Sequence, residues 1–441
     1  MIIQDNDGFA ISYEQVRQHY REIDKFQLLA RLVGHRNATK MLRAIGRLHT
    51  HYPGARTEMD YTKYAIWLYP NKYVDKPLLY FFGIGVDQDT TVIKGFTITV
   101  DPTSAHTIRL YRNCVLPKQL WLPDRLQHFA EHWDVFGVER LVAIDNAPDF
   151  RADATVLVWI NLGVIVLLMP PGRPDMKGTV ERTQWTLEMK QIMGLPGYVS
   201  SKFRITDPRS EEDRRRARLE AKLTVADFFD IAVPMCLEHN SLAHPRFKKQ
   251  RILRWRDAME MFPPILPAGI LQNKTIFART YPAQLTREGV ELEGGLKYTS
   301  DALYDLFRTQ GSNASVHVKL DDDDIRSVVV FDRKHNEPVV AQLTTHDIID
   351  FPLTLELYRT AQRFGEAEAV KILPGMPDFG GYISEKVRQL AAGETVAPSG
   401  MTARKHAEAA TQAAAAGTVF PRVTSEKTAP DLAALLRDTK L

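Results

Sequence analysis

The sequence predicts an α/β protein: a mixed five-stranded sheet flanked by helices, followed by a small C-terminal β-barrel and a helical, partly disordered tail. Three observations predict it. From Pro53 to about Gly197 strand-like runs come first, and helical runs then alternate with two further strands, as in a sheet that is antiparallel on one side and parallel on the other. From Lys274 to Leu343 five short alternating runs and one helix fill about 75 residues, the pattern of a small barrel. After Pro377 the large apolar residues are lost, and Met401–Gly417 holds eight alanines between Ala403 and Ala416. A segment of that kind buries too little apolar surface to offset its ordering entropy.

The 441 residues allow about three domains at roughly 150 residues each. Residues 1–55 read as a basic helical segment, with Ser12 placed to cap YEQVRQHYREID and a second helical stretch from Phe26 to His49. Residues 56–200 are the core, with strand candidates Thr57–Tyr69, Leu78–Val86, Thr91–Val100, Arg140–Asp145 and Val164–Met169. A PNKYVDKP loop joins the first two and a tight DQDT turn the next two, so these three are antiparallel. Ser104 can cap one helix, and Pro117 to His132 supplies another. The apolar run Thr155–Met169 (TVLVWINLGVIVLLM) reads as a buried helix stopping near Gly163 and then a buried strand. Residues 201–265 form a helical basic connector, in which charge-dense Ser210–Leu223 stays solvated and Thr224 and Asp227 box the start of an apolar helix. Residues 266–345 hold the barrel, with strands TIFAR, VELEG, SVHVKL, RSVVVFD and EPVVAQL and a helix from Ser300 to Thr309 ending near Gly311. A helical segment, 346–380, precedes the tail, 381–441, which closes on the amphipathic patch DLAALLRDTKL.

Composition narrows the function classes. Hydrophobic residues make up 44% and charged ones 25%, the balance of an ordinary soluble domain. Lys+Arg 57 against Asp+Glu 54 gives +3, so any nucleic-acid surface must come from local clustering. Cys114 and Cys236, far apart, make neither a zinc ribbon nor a disulfide framework, which fits a reducing cytosol. The longest apolar run is too short for a membrane span, and MIIQDNDGFAIS lacks the basic flank of a signal peptide.

Three segments carry chemistry. RTEMDYTKYAIWLY puts Asp60 near the start of the first strand, LVAIDNAPDF ends a strand in Asp145–Asn146, and MPPGRPDMKGTVERTQWTLEMK opens a helix bearing Glu181. Thirty-five residues stand between Asp145 and Glu181, a spacing that decides little in a chain with 54 acids. Context decides more: an Asp in the first strand, an Asp at a neighbouring strand tip and a Glu on a packing helix can converge. Three carboxylates there would make an oxygen-rich site for Mg²⁺ or Mn²⁺. Two such ions about 3.5–4 Å apart serve in-line displacement at phosphorus.

EMDYT, IDNAPDF and PPGRPDMKGTVER resemble the three signatures of DDE transposases and retroviral-type integrases, in the branch of the phage Mu transposase and the TnsB/TniA subunits. VDQDTTVIKGFTITVDPTSA resembles the family's second and third strands, and the barrel region resembles its Mu-type C-terminal barrel. The resemblance implies an RNase H-like core and a polynucleotidyl transferase performing metal-dependent 3′-end cleavage and strand transfer, with two Mg²⁺ or Mn²⁺ ions per active site. Carried over residue by residue, it makes Asp60, Asp145 and Glu181 the metal ligands. Asn146 would fix the strand tip or a DNA phosphate, and Arg173, Lys177 and Arg182 would hold the DNA backbone; for Lys177 a plain pair with Glu181 one turn on is the simpler reading. The chain departs from the family at Tyr61, where His is common, and at Ala147, where Gly is usual, so the rim of the site should differ. SYEQVRQHY resembles the last helix of a helix-turn-helix, leaving 1–55 as a remnant of a DNA-binding region. The tail resembles in position the segment that contacts an AAA+ ATPase partner. A homo-oligomer assembled on transposon-end and target DNA, in a bacterial cytoplasm and at the nucleoid, completes the expectation. Two rivals stand beside it: a DNA-binding assembly subunit with an idle site, and a metal-dependent nuclease that does not join strands.

Other features have simpler readings. Asp87 and Asp89 compete with Asp60, but turn chemistry accounts for them, and Glu58, on Asp60's face, is a neighbour rather than a ligand. Asp321–Asp324 (DDDD) lacks the Gly and closing Glu of a calcium loop and reads as a solvated turn. His239 and His244 have no Cys nearby to complete a zinc site. Arg246–Arg256 (RFKKQRILRWR) interleaves six positive charges with Phe247 and Trp255; it is either a solvated helix face or a DNA-backbone surface formed by Arg246, Lys248, Lys249, Arg251 and Arg254.

Overall fold

The computed structural model describes residues 2–4, 10–12, 14–15, 17–18, 25–34, 50, 52–70, 76–169, 177–199, 208–266, 274–292, 294–311, 314–332, 338–344, 353–355 and 358–359. The chain divides into two compact units, one formed by Met1–His49 with Pro171–Pro174 and the other by the rest. In the first, β1 (Ile2–Gln4) and β2 (Ala10–Ser12) pair antiparallel, a hairpin where helix was expected. Ser12 does act as a cap: its hydroxyl accepts from the Gln15 amide at 3.2 Å while Gln15 Oε1 accepts from the Ser12 amide. Helix α1 (Lys25–Val33) matches the start of the second predicted stretch, whose remainder lies outside the described residues.

The second unit is built on a sheet of β3 (Arg56–Leu68), β4 (Leu78–Asp87), β5 (Ile93–Thr99), β6 (Leu141–Ile144) and β7 (Ile165–Leu168), ordered β5-β4-β3-β6-β7. β3, β4 and β5 are antiparallel, while β6 and β7 extend the sheet in parallel from β3, as the alternation of elements predicted. Helix α2 (Ser104–Val115) lies so close to the sheet that a Cβ at Gly95 would fall 2.5 Å from the Asn113 carbonyl oxygen. Only glycine allows that approach. The predicted Pro117–His132 helix is two 3₁₀ pieces, Lys118–Leu120 and Asp124–His132, because Pro123 interrupts it. Short α3 (Pro148–Arg151) leads into α4 (Asp153–Asn161), which ends at Gly163 with φ +72°. The apolar run is only partly buried. β7 is the sheet edge and leaves Ile165 and Leu168 exposed, and α4 turns Leu157 and Ile160 outward.

Helix α5 (Gly178–Leu187) packs Val180, Gln184 and Leu187 against the sheet. The connector is three helices: α6 (Pro208–Glu220), α7 (Val225–Ser241) and α8 (Arg251–Met261). α7 starts with the expected capping box, Thr224 Oγ1 accepting from the Asp227 amide while Asp227 Oδ2 accepts from the Thr224 amide. The barrel closes with six strands, one more than predicted, ordered β10-β13-β12-β11-β8-β9. They are β8 (Arg279–Thr286), β9 (Gly289–Leu292), β10 (Leu296–Thr299), β11 (Ala314–Leu320), β12 (Ser327–Asp332) and β13 (Pro338–Leu343). Two strands were not predicted: β10, antiparallel to β9 across Gly294 and Gly295, and nearly all of β8, since TIFAR is largely a 3₁₀ turn, Lys274–Phe277, and reaches β8 only at Arg279. Helix α9 (Asp301–Gln310) is capped by Ser300 and stopped at Gly311, as predicted. Most of the predicted helical segment 346–380 and the tail lie outside the described residues.

The barrel is joined to the core by the acidic run that was expected to be a solvated turn. Asp323 pairs with Arg109 and, at 2.5 Å, with Arg112, both from α2, and Asp322 pairs with Arg279 at 2.6 Å. Asp324 is 1% exposed and pairs within its own turn with Arg326 at 2.7 Å. The run is drawn inward because two α2 arginines face it.

Candidate active site

Strand register brings the first two predicted acids together. β6 runs parallel to β3 with Arg56 opposite Leu141, Thr57 opposite Val142 and Glu58 opposite Ala143. Two steps further along both strands stand Asp60 and Asp145. The ammonium of Lys177 lies between them, 2.5 Å from Asp60 Oδ1 and 2.9 Å from Asp145 Oδ2. The lysine side chain is 7% exposed and Asp145 43%, so the pair is held from beneath and open on one side. Burial raises the Asp60 carboxyl, and Lys177 opposes that rise. Burial also works against the Lys177 charge, but the two aspartates outweigh it and its pKa is raised.

The tip of β6 is fixed by local bonds. Asp145 Oδ1 accepts from the Ala147 amide at 2.9 Å, leaving Oδ2 to Lys177. Asn146 donates through Nδ2 to the Met169 carbonyl at 2.7 Å, tying the tip to the end of β7; this is the strand-fixing role expected of it. Ala147 replaces the family's usual Gly at no conformational cost, since its φ is −62°. Tyr61 does not change the rim as expected. Alternation turns it to the opposite face, where its ring lies 5.6 Å from Phe150 and against Gly83, at which any Cβ would collide with that ring. Burial raises its hydroxyl pKa far above the usual value.

Helix α5 is bolted to β3 by Glu58, whose Oε2 accepts from the Thr179 amide at 3.0 Å and the Val180 amide at 3.1 Å. A carboxylate at a helix N-terminus satisfies orphan donors and meets the positive end of the dipole. Burial raises the Glu58 carboxyl despite those two bonds. The helix is further seated by Gln184, which donates to the Phe82 carbonyl at 3.0 Å and meets the Tyr64 hydroxyl. With Val180, Gln184 and Leu187 turned inward, Glu181, Arg182 and Trp185 face solvent.

The third predicted ligand therefore does not complete the expected centre. Among the described residues no group of three or more His, Cys, Asp or Glu could hold a metal ion. Asp60 and Asp145 converge, whereas Glu181 stands exposed one helical turn beyond Lys177, on the outer face that the packing of α5 dictates. Lys177 itself meets the two aspartates rather than serving as a simple partner of Glu181. Arg173 lies outside the described residues. Asp87 and Asp89 are turn and scaffold residues: Asp87 accepts from the Gly54 and Thr90 amides, and Asp89 pairs with Arg254.

The basic segment divides in two. Arg251 is 9% exposed and donates to Thr91 Oγ1 and to the carbonyls of His239 and Leu242, so it is scaffold rather than DNA surface. Arg254 is likewise committed, to Asp89 and to the face of Phe247 at 3.6 Å, and Trp255 is buried. The exposed charges are Arg246, Lys248 and Lys249, the last paired with Asp257, on a loop closed by the Ala243–Gln250 bridge, and Arg256 on α8, paired with Asp134. His239 donates through Nε2 to the Thr91 carbonyl and His244 accepts from the Arg246 amide, so both have backbone partners. Burial lowers the His244 pKa to about 4, helped by the positive charges of Arg251, Arg254, Arg182 and Arg246. Sequence reasoning missed the bridging role of Lys177, the bolt of Glu58 and the 62% exposed Trp185. The E-x-D spacing on one strand face held the signal for Glu58.

Comparison with known proteins agrees with the motifs. A family model described as the TnsB C-terminal domain matches residues 58–197. The transposon Tn7 transposition protein TnsB of Escherichia coli is 28% identical over 195 residues, 43% of this chain and 26% of the relative, so the chain spans about a quarter of that protein's length. Among solved structures, the simian T-cell lymphotropic virus intasome is similar with TM-score 0.31 and 13% identity over 75% of this chain and 96% of the matched one. The catalytic core domain of BIV integrase is similar with TM-score 0.27 and 13% identity over 47% and 98%. Residues 58–197, the segment that the TnsB C-terminal domain model matches, carry Asp60, Asp145, Lys177 and Glu181.

Proposed function

We propose that this chain is a DNA transposase of the DDE class, a polynucleotidyl transferase that cleaves a 3′ end and transfers it to target DNA. The observation that carries the reading is the convergence of Asp60 and Asp145 on a single cation, next to the helix that bears Glu181. Two aspartate oxygens that share one ammonium form a donor set suited to Mg²⁺ or Mn²⁺. Such ions, two per site, would polarise the phosphoryl group and stabilise the attacking and leaving oxygens. Asp60 and Asp145 would hold them, with Glu181 as the third ligand after a side-chain movement on the exposed face of α5. Glu58 keeps that helix seated on β3, so the distance between ligands is set by the sheet rather than by a loop. Arg182, Trp185, Arg246 and Lys248 offer an exposed cationic and aromatic surface for the DNA backbone and its bases. The reading includes a homo-oligomer on DNA in the bacterial cytoplasm. It also includes an AAA+ ATPase partner engaged by 381–441, residues outside those described.

The deciding experiment is strand transfer with pre-cut element ends and Mg²⁺ or Mn²⁺, wild type beside Asp145→Asn. Joined products from wild type alone support the transposase. Nicks without joining favour the nuclease, and no metal-dependent product from either favours the assembly subunit. Deleting 400–441 should leave strand transfer by pre-cut ends in place and remove stimulation by the ATPase; a pull-down unchanged by the deletion would sink the partner reading.

A further inference from the structure

Lys177 stands where a mobile surface lysine would not. Its side chain is 7% exposed, and its ammonium touches both aspartates at hydrogen-bond distance. It sits at the N-cap of α5, one residue before the helix whose Thr179 and Val180 amides Glu58 holds, so its backbone is fixed while its side chain spans the gap between β3 and β6. Two carboxylates side by side on adjacent strands repel each other, and a buried ammonium between them removes that repulsion.

We propose that Lys177 is a built-in counter-cation of this site, holding Asp60 and Asp145 together and leaving only when a divalent ion takes the same oxygens. The inference rests on the reading of Asp60 and Asp145 as metal ligands. The same oxygens cannot hold both cations: an ammonium 2.5 Å and 2.9 Å from Asp60 Oδ1 and Asp145 Oδ2 occupies the space between them and repels an incoming positive charge. Metal loading is therefore an exchange of cations. The displaced lysine, tethered at the start of α5, is left at the mouth of the site as a free positive charge for an incoming phosphate.

The test compares the full chain as wild type, Lys177→Met and Lys177→Arg, with Asp145→Asn marking the site. Binding of Mn²⁺ is measured directly by electron paramagnetic resonance of the free ion, and melting temperature is followed with and without Mn²⁺. Lys177→Met should bind Mn²⁺ about tenfold or more tightly than wild type, since a competing charge is gone. It should melt lower than wild type without metal and recover when Mn²⁺ is added. Lys177→Arg, which keeps the charge, should stay at or near wild-type affinity. Equal or weaker Mn²⁺ binding by Lys177→Met, with wild-type binding that Asp145→Asn abolishes, overturns the counter-cation while leaving the ligand assignment standing. Binding that Asp145→Asn does not alter overturns the ligand assignment, and the counter-cation with it.

Discussion

Two acidic clusters lie in the same folded unit and are treated in opposite ways. At the junction of core and barrel, Asp321, Asp322 and Asp323 face Arg109, Arg112 and Arg279, so each carboxylate has a guanidinium within reach. Where β3 passes the end of β6, Asp60 and Asp145 share one lysine. The first cluster is electrically closed, and the cleft it lines is walled by matched charges. The second retains a negative charge beyond its counter-cation and opens toward solvent through Asp145. Crowding of acids in a sequence therefore says little about function; what matters is how many are left without a matching cation. The most acidic run of the chain turns out to be a fastener.

The sharpest way to break this comparison is to neutralise one carboxylate in each cluster. Asp60→Asn and Asp145→Asn should each lower strand transfer by about a thousandfold or more, because each removes an oxygen donor from the reacting centre. Melting temperature should change little in Asp145→Asn, whose side chain is 43% exposed. A variant of either aspartate that keeps turnover would remove the distinction between the clusters.

Asp323→Asn should do the reverse, losing about 3 kcal/mol of stability because two largely buried arginines lose their shared partner. The folded fraction should keep its activity. Burial alone would raise the Asp323 carboxyl, but Arg109 and Arg112 hold it well below the usual carboxylate range. Its folded pKa being depressed, the stability it contributes is present above the unfolded value, about 3.9, and fades as pH falls below that. The gap between wild type and Asp323→Asn in denaturant melts should accordingly be constant near neutrality and shrink in acid. A gap that persists unchanged into strong acid would mean that shape rather than charge holds the barrel.

Much of this was legible in the sequence, and the misses have physical causes. The mixed pairing of the sheet followed from the change from consecutive strands to alternating strands and helices, and the capping box at Thr224 was a local signal, whereas Ser104, expected to cap a helix, lies inside α2, whose cap position is Thr103. Asp60 and Asp145 were singled out by the resemblance of their motifs, and the register of β3 and β6 brings the two together. Partner choice across long sequence distances could not be read. Nothing near Asp323 announces Arg109, and nothing near Arg251 announces that Thr91 and two carbonyls will take its guanidinium. For the same reason a run of six basic residues read as one surface splits into scaffold and exposed charge. Strand β10 was overlooked because four residues after a Gly-Gly turn give too short an alternation.

Glu58 belongs to neither cluster, yet it seats the helix that starts just after Lys177. Glu58→Gln keeps the shape but weakens two charge-assisted bonds at the start of α5, and a loss of about 1–2 kcal/mol is expected. Hydrogen exchange of the Thr179 and Val180 amides should speed up, and strand transfer should fall less than in the aspartate variants. Unchanged protection of those amides would show that Gln184 and the apolar contacts seat the helix without help.

The smallest effects should come from the exposed basic loop, and they test whether solvated charge next to an open acidic site attracts a polyanion. Arg246→Ala and Lys248→Ala should each weaken binding to duplex DNA by a few fold and lower the slope of log affinity against log salt by about one. They should leave melting temperature where it was, since both side chains are exposed. Arg251→Ala should behave oppositely: its donors satisfy Thr91 and two carbonyls, so it should destabilise the fold and, at equal folded concentration, keep the salt slope. If Arg251→Ala lowered the slope as much as Arg246→Ala, the division of the segment into scaffold and surface would be wrong. The DNA path would then run closer to β5 than the loop at 244–249 implies.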